Sequence, residues 1–432
     1  MKKIITLFAL MLAARLLPAQ INSFDTSFYS VSLDDTMPVR VYLPPGYDDH
    51  PDLYYPVIYL LPGWAQSIYV LDDMMNLAHQ YINEGTIDPV IMVCPFNIPP
   101  PFAGSMYVNS ILWGNYEDYN VNDLLEWVES TFRAMPYRDY RALLGHSMGG
   151  YGAFRYGILH KDRFKALAAH AAPVTTDLDL YLEPCRQMIL WEHPGGPPYF
   201  YDYSTDGVFT QISFLFSGAF TPNLNSPQTY INPQIVDYPL DEYGQLIDST
   251  QQAWLDFAIS HLLPQLSPED STGIFFGCGS SDPLLCYPSN IALKDTLEML
   301  GLPYEFYDHS GGHVMPYGFK TRALTFLDSL LLPPDFNTSI TRKPEDKRLS
   351  GINIYPNPFD QFATVSFEIP TTGNIEIKVF NQMGQVVSTL VEGQCRQGKH
   401  HVYYEASGLP TGIYFLRLQA GQEIVARKII RL

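Results

Sequence analysis

Arg141-Ala-Leu-Leu144-Gly145-His146-Ser147-Met148-Gly149-Gly150 is the stretch whose reading decides the fold. An apolar run enters Gly-x-Ser-x-Gly and leaves into a small-residue segment with Gly152 and Ala153, which predicts a strand, a sharp turn and a helix. A serine on such a turn is held in a strained backbone conformation. Gly145 and Gly149 are needed because a Cβ at either position would collide with the neighbouring strand or helix. The turn lifts the Ser147 hydroxyl above the sheet, and the N-terminus of the following helix favours negative charge developing beside it. A bare Gly-x-Ser-x-Gly is a weak pattern; the strand–turn–helix context makes it specific.

A hydroxyl nucleophile needs a base, and the base an orienting acid, in the chain order Ser, acid, His for this kind of turn. Downstream, Ser310-Gly311-Gly312-His313 follows a strand-like run and precedes a helical one, which makes His313 the candidate base. His193 falls in an aromatic insertion read as a cap and His261 within a helix, so both read as structural or solvated. His146 sits inside the turn, pointing away from the nucleophile. Asp282 ends the buried run that starts at Ile274 and is the candidate acid. Asp308, the rival, adjoins the histidine loop and needs a backward reach. For the oxyanion, Met148 N–H follows the nucleophile, and Leu60-Leu61-Pro62-Gly63-Trp64 offers Trp64 N–H, with Gly63 letting the backbone turn close to substrate. Cys278 and Cys286 bracket Asp282, either as a disulfide pinning the acid loop or as two buried thiols. Cys94, in the apolar run Val90–Cys94, reads as a core residue.

Around this centre, Val39–Leu43, Val57–Leu61, Val90–Cys94, Phe164–Ala169, Ile274–Gly277 and Tyr304–Tyr307 read as further strands. Val121, Leu124, Leu125, Val128 and Phe132 recur at helical spacing, as do Ile291, Leu297 and Leu300. The alternation predicts an α/β domain over residues 21–333, with a mostly parallel sheet covered by helices on both faces. Residues 172–260 break the rhythm with an aromatic, Pro- and Gly-rich insertion, read as a cap over the site. Residues 334–350 are polar and aperiodic, a linker. Residues 351–432 alternate as Ile375-Glu-Ile377-Lys-Val379 does, with further runs at Val386–Leu390, His401–Tyr404 and Ile413–Leu418, which predicts a small all-β sandwich.

Lys2 and Lys3, the apolar run Ile4–Ala14 and Leu17-Pro18-Ala19-Gln20 make residues 1–20 a signal peptide, and no later stretch is long and apolar enough to span a membrane. Net charge is −19, becoming −22 when Lys2, Lys3 and Arg15 are removed; such a surface repels nucleic acid and anionic lipid. Hydrophobic residues at 46% against 16% charged supply a core and exclude global disorder. Five cysteines cannot all pair internally, so this is no disulfide scaffold.

Leu60–Trp64, Gly104–Ser110, Tyr116–Tyr119, Arg141–Gly152, Cys278–Asn290 and Gly311–His313, taken in order, resemble the esterase D family, which includes S-formylglutathione hydrolases, feruloyl esterases and mycolyltransferases. The likeness covers roughly residues 30 to 332 and implies an α/β-hydrolase fold and an acyl-enzyme mechanism needing neither metal nor cofactor. Pro62 departs from the family, where many relatives have His or Asp before the oxyanion glycine, and the insertion at 172–260 is longer than a minimal member needs. Both departures bear on substrate rather than chemistry. Ile354-Tyr355-Pro356-Asn357-Pro358-Phe359, Asn381–Gln385 and Gly412-Ile413-Tyr414 resemble the type A sorting domain of the type IX secretion system. That implies export through the periplasm of a Bacteroidota-type bacterium, with the secretion machinery as partner. A carbohydrate-binding sandwich fits less well, since no exposed aromatic pair is evident. The expectation is a secreted or cell-surface serine esterase acting on a small-molecule or polysaccharide ester, such as feruloyl or acetyl xylan. One alternative is an acyltransferase with the same triad, whose cap excludes water and admits an alcohol. The other, a surface binding protein with a disused hydrolase fold, sits poorly with intact Ser, His and acid.

Overall fold

The computed structural model describes residues 21–175, 177–335 and 350–431, apart from 356, 358, 370, 371, 382–384, 407 and 422. The signal peptide and nearly all of the linker lie outside the described residues. The chain divides into two compact units, Met1–Asn337 and Thr338–Leu432.

In the first unit, eight strands form one sheet: β1 (Ser23–Ser30), β2 (Asp35–Tyr42), β3 (Val57–Leu61), β4 (Ile91–Pro95), β5 (Arg141–His146), β6 (Ala166–His170), β7 (Gly273–Gly279) and β8 (Glu305–His309). Their order is β1-β2-β4-β3-β5-β6-β7-β8, with only β2 antiparallel to its neighbours. Alternate residues of β5 feed different cores. Leu143 lies in the core that also takes residues from α2 (Leu124–Thr131), α3 (Met148–Leu159) and α7 (Cys286–Met299), whereas Leu144 lies in the core shared with α1 (Asp72–Glu84) and α8 (Tyr317–Leu330). A strand buried on both sides must be apolar throughout, which is why Ala-Leu-Leu reads as a continuous run rather than an alternation.

All the sequence-predicted strands of this unit are present. The hairpin partner β1 was missed, because Ser-Phe-Asp-Thr-Ser-Phe-Tyr-Ser is an edge strand with too little apolar content to stand out. The insertion is built around α4 (Glu183–Glu192), α5 (Val208–Phe220) and α6 (Asp248–Leu255). α5 is buried from Phe209 to Phe220 apart from Gln211, and its aromatics meet those of neighbouring segments, with Phe220 and Phe257 stacked at 4.7 Å and Phe214 4.7 Å from Tyr238. The Glu192 carboxylate accepts Phe209 N–H and Thr210 N–H, both at 2.9 Å, so an anion from one helix satisfies the first amides of the next.

The second unit has two antiparallel sheets. One has the order β9 (Ser350–Tyr355), β10 (Phe362–Ile369), β13 (Gly398–Glu405). The other has the order β12 (Val386–Cys395), β11 (Gly373–Phe380), β14 (Gly412–Ala420), β15 (Glu423–Arg431). Val365, Ile377, Leu416 and Ile429 form part of their shared core.

Candidate active site

The carboxyl ends of five adjacent parallel strands meet at one edge of the sheet. Leu61 pairs with Gly145, His146 with His170, Gly277 with His170, and Gly279 with His309. Such an edge is where open α/β sheets hold their ligands. Ser147 follows β5 at φ +56°, ψ −119°, in the left-handed half of the backbone map where a side chain is strained. Its N–H donates to His170 O (2.8 Å) and its carbonyl accepts Tyr151 N–H (3.0 Å), so the backbone is held from both sides. The flanking glycines have no room to spare. A Cβ on Gly145 would lie 2.0 Å from Gly149 O, and one on Gly149 would lie 1.8 Å from Leu61 O. Gly149→Ala is therefore expected to cost about 3–5 kcal/mol or prevent folding, because only backbone could give way. Urea unfolding checks it; a midpoint near the wild-type value would contradict the packing.

Asp282 and His313 come together although 31 residues apart. The His313 Nδ1–H donates to Asp282 Oδ2 at 2.8 Å, and Asp282 Oδ1 accepts Leu284 N–H at 2.8 Å. The Asp282 side chain is 0% exposed, whereas that of His313 is 18% exposed. The two loops are stitched by Ser280 N–H to His309 O (2.8 Å) and Ser281 N–H to Gly311 O (3.1 Å), and Gly279 lies so close that a Cβ there would sit 2.1 Å from Gly311 O. The rival Asp308 is instead engaged by Tyr287 OH on the exposed side. Among the described residues no hydrogen bond joins the Ser147 hydroxyl to the His313 ring; such contacts are often loose until substrate arrives. Cys278 and Cys286 are both free thiols, with Cys278 Sγ 3.6 Å from Asp282 Oδ2. One ligand-type atom each of Asp282, Cys286 and His313 lies within 4.8 Å of the others. Burial pushes the Cys286 thiol far above its ordinary range, which disfavours the thiolate a metal needs, and the carboxylate and imidazole already bond each other.

Trp64 and Met148 meet at Gly104, where a Cβ would fall 3.0 Å from Trp64 Cδ1, 2.8 Å from Met148 Sδ and 2.9 Å from Leu215 Cδ1 of α5. The insertion thus reaches the loop that carries the candidate oxyanion donors. Trp64 N–H and Met148 N–H have no acceptor among the described residues. Three bonds hold the loop from outside: Trp64 Nε1 to Phe102 O (2.7 Å), Ala65 N–H to Ala103 O (2.9 Å) and Tyr107 OH to Pro62 O (2.8 Å). Ala103, Met106 and Tyr107 all have positive φ, a strained stretch pressed against the site. The sequence reading gave Tyr107 no role; its only signal was membership of the Gly104–Ser110 segment.

Residues 30–317 match the family described as "Putative esterase". The chain belongs to that family. Esterases MT1326 and Rv1288 of Mycobacterium tuberculosis strains are each 29% identical over 145 residues, 33% of this chain and 31% of theirs, so the family member described here spans about a third of the length of those curated relatives. A ferulic acid esterase of 20% identity superposes with a TM-score of 0.52 over 73% of this chain and 100% of that one. An S-formylglutathione hydrolase from Staphylococcus aureus, 18% identical, gives 0.47 over 72% of this chain and 100% of that one. Residues 353–431 match the "Secretion system C-terminal sorting domain", which marks this Putative esterase for export to the cell surface or beyond. No helix among the described residues is long and apolar enough to cross a membrane.

Beneath the site of this Putative esterase lies a group of histidines. His146 stacks on His170 (5.6 Å, 19°), and His170 on His309 (5.3 Å, 20°). Burial lowers all three; His146 falls to about 4, with its bond to the His313 carbonyl pulling the other way. A histidine titrating near 6.5 when unfolded and near 4 when folded leaves the unfolded chain binding more protons between those values. The penalty is absent above pH 6.5, grows as pH falls, and is complete below pH 4. From pH 7 to 4.5 His146 is expected to cost on the order of 2–3 kcal/mol. Urea midpoints at the two pH values should fall less in His146→Phe than in wild type; an equal fall would remove His146 from the account.

Proposed function

We propose that the chain is a secreted serine carboxylic-ester hydrolase working through an acyl-enzyme on Ser147. The observation that carries this reading is a serine at φ +56° on a strand-to-helix turn, sharing its sheet edge with a His313–Asp282 pair bonded at 2.8 Å. Because His313 Nδ1 is committed to Asp282, Nε2 is the nitrogen that takes the Ser147 proton as Oγ attacks the ester carbonyl. Trp64 and Met148 N–H groups receive the oxyanion. His313 returns the proton to the leaving alcohol; the same nitrogen then deprotonates a water that attacks the acyl carbonyl, and hands that proton to Ser147 Oγ as the acyl–Oγ bond breaks and the acid leaves. Asp282 holds the tautomer and stabilises the imidazolium.

The substrate class is feruloyl or acetyl esters of polysaccharide, or other short acyl esters. Export by the sorting tail, read by the type IX machinery, supports an extracellular ester, and the ferulic acid esterase shares the fold. A fluorophosphonate probe should leave one adduct, on Ser147 by peptide mass spectrometry, and a panel of p-nitrophenyl acetate, p-nitrophenyl butyrate and methyl ferulate should reveal turnover. Neither adduct nor turnover with any member would overturn the proposal. Transfer to added alcohol in preference to water would make the enzyme an acyltransferase instead.

A further inference from the structure

The residue between Gly145 and Ser147 is engaged on both sides. His146 is buried, and its Nε2 lies 2.7 Å from the backbone carbonyl of His313. A carbonyl can only accept, so Nε2 carries the hydrogen and Nδ1 is left as an acceptor. Nδ1 faces Gln66 Nε2 at 3.4 Å. The other end of that amide, Oε1, accepts Gly63 N–H at 2.7 Å, which fixes which way the amide points. Side chains and tautomer therefore form one directed chain: Gly63 N–H to Gln66, Gln66 to His146, His146 to His313. Its ends are the backbone of the oxyanion loop and the backbone of the base.

We propose that His146 is a positioning residue that, with Gln66, locks the Gly63–Trp64 loop and the His313 loop to the nucleophile turn, so that oxyanion donor, base and Ser147 keep one fixed spacing. Three observations on separate elements converge on this. The carbonyl that His146 holds belongs to His313 itself, one residue's backbone away from the imidazole that must reach Ser147. Gly63 packs directly on both links, since a Cβ there would push the Gln66 amide away (Oε1 at 2.7 Å) and press on His146 O at 3.2 Å. The His146 ring is braced by His170 on one side, at 5.6 Å, and approaches the His313 ring at 5.0 Å on another. Its low proton affinity, dominated by burial, keeps it in the neutral form that can donate and accept at once. The inference rests on the ester-hydrolase reading.

The test is steady-state hydrolysis of p-nitrophenyl acetate by His146→Phe, His146→Gln, Gln66→Leu and the Gln66→Leu/His146→Phe double variant, each with its thermal midpoint. Phe keeps the ring and its stacking but neither nitrogen; Gln restores a donor at about the reach of Nε2. Displacement of the base by less than about 1 Å is expected to lower kcat about 10–100-fold in His146→Phe with KM within about threefold. His146→Gln should recover most of that loss, and the double variant should be no worse than His146→Phe alone, since both changes cut the same chain. A folded His146→Phe with wild-type kcat would overturn the proposal, as would His146→Gln as slow as His146→Phe, or losses in Gln66→Leu and His146→Phe that simply multiply. Should His146→Phe fail to fold, Gln66→Leu carries the decision: kcat reduced about threefold or more at unchanged KM supports it, and wild-type kcat overturns it. If instead the ester-hydrolase reading is at fault, wild type itself turns over none of the esters, an outcome distinct from any of these.

Discussion

Ser147→Ala is expected to remove ester turnover by about five orders of magnitude while leaving the chain folded. The loss is that large because the hydroxyl is the atom that forms the covalent bond; water placed by the remaining base and oxyanion groups recovers only a small part of the rate. Folding is spared because nothing in the packing depends on Oγ. The bonds that hold this residue use its N–H to His170 O and its carbonyl from Tyr151 N–H, and alanine keeps both. The strain at φ +56° stays as well, since it belongs to Cβ. Ser147→Gly separates the two contributions: it should be equally inactive yet more stable by about 1 kcal/mol, having lost the Cβ that the left-handed backbone resists. Initial rates with p-nitrophenyl acetate and urea midpoints measure both. Turnover by Ser147→Ala within tenfold of wild type would send the search for a nucleophile elsewhere.

Asp282→Asn should lower kcat by about four orders of magnitude, and Asp308→Asn by no more than about threefold. The asymmetry follows from hydrogen-bond polarity. Asp282 Oδ1 accepts Leu284 N–H at 2.8 Å, so an asparagine at this position keeps its own oxygen there and turns its NH2 toward His313. A donor facing Nδ1 makes Nδ1 an acceptor and moves the ring hydrogen to Nε2. That tautomer cannot take a proton from Ser147. Asp308, bonded by Tyr287 OH on the exposed side, imposes no such demand on the imidazole. A comparable loss in both variants would show that the carboxylates act through the field rather than through the tautomer.

Much of this was legible in the amino-acid order because local and global demands agree there. Val57–Leu61 and Ala142–Leu144 are apolar without alternation, as strands covered on both faces must be, and Gly145 and Gly149 sit where backbone touches backbone. Asp282 and His313 were singled out by chain order and by strand position, each following its strand by a few residues, and the fold brings the two side chains into one hydrogen bond. What escaped is what depends on distance across the fold. His146 was read only as a residue inside the turn pointing away from the nucleophile, because its partner is the backbone carbonyl of a residue 167 positions later, and a carbonyl leaves no trace in a side-chain pattern. Tyr107 was hidden for the same reason, bonding Pro62 O, and β1 was hidden by its polar edge composition. The Cys278–Cys286 alternatives could not be separated by spacing; both thiols are free.

The alignment of strand ends has a consequence for how the chain matures. The loops at that edge begin with Gly63 and finish with His313, and each is carried by a different strand of one sheet. Contacts so remote in sequence close late, after the entropy of long intervening loops has been overcome. Until those loops are brought together, the nucleophile turn lacks the base and oxyanion groups proposed to serve it. The proposed hydrolysis is therefore expected only once the last parallel strand has paired, so its return during refolding should track completion of the sheet.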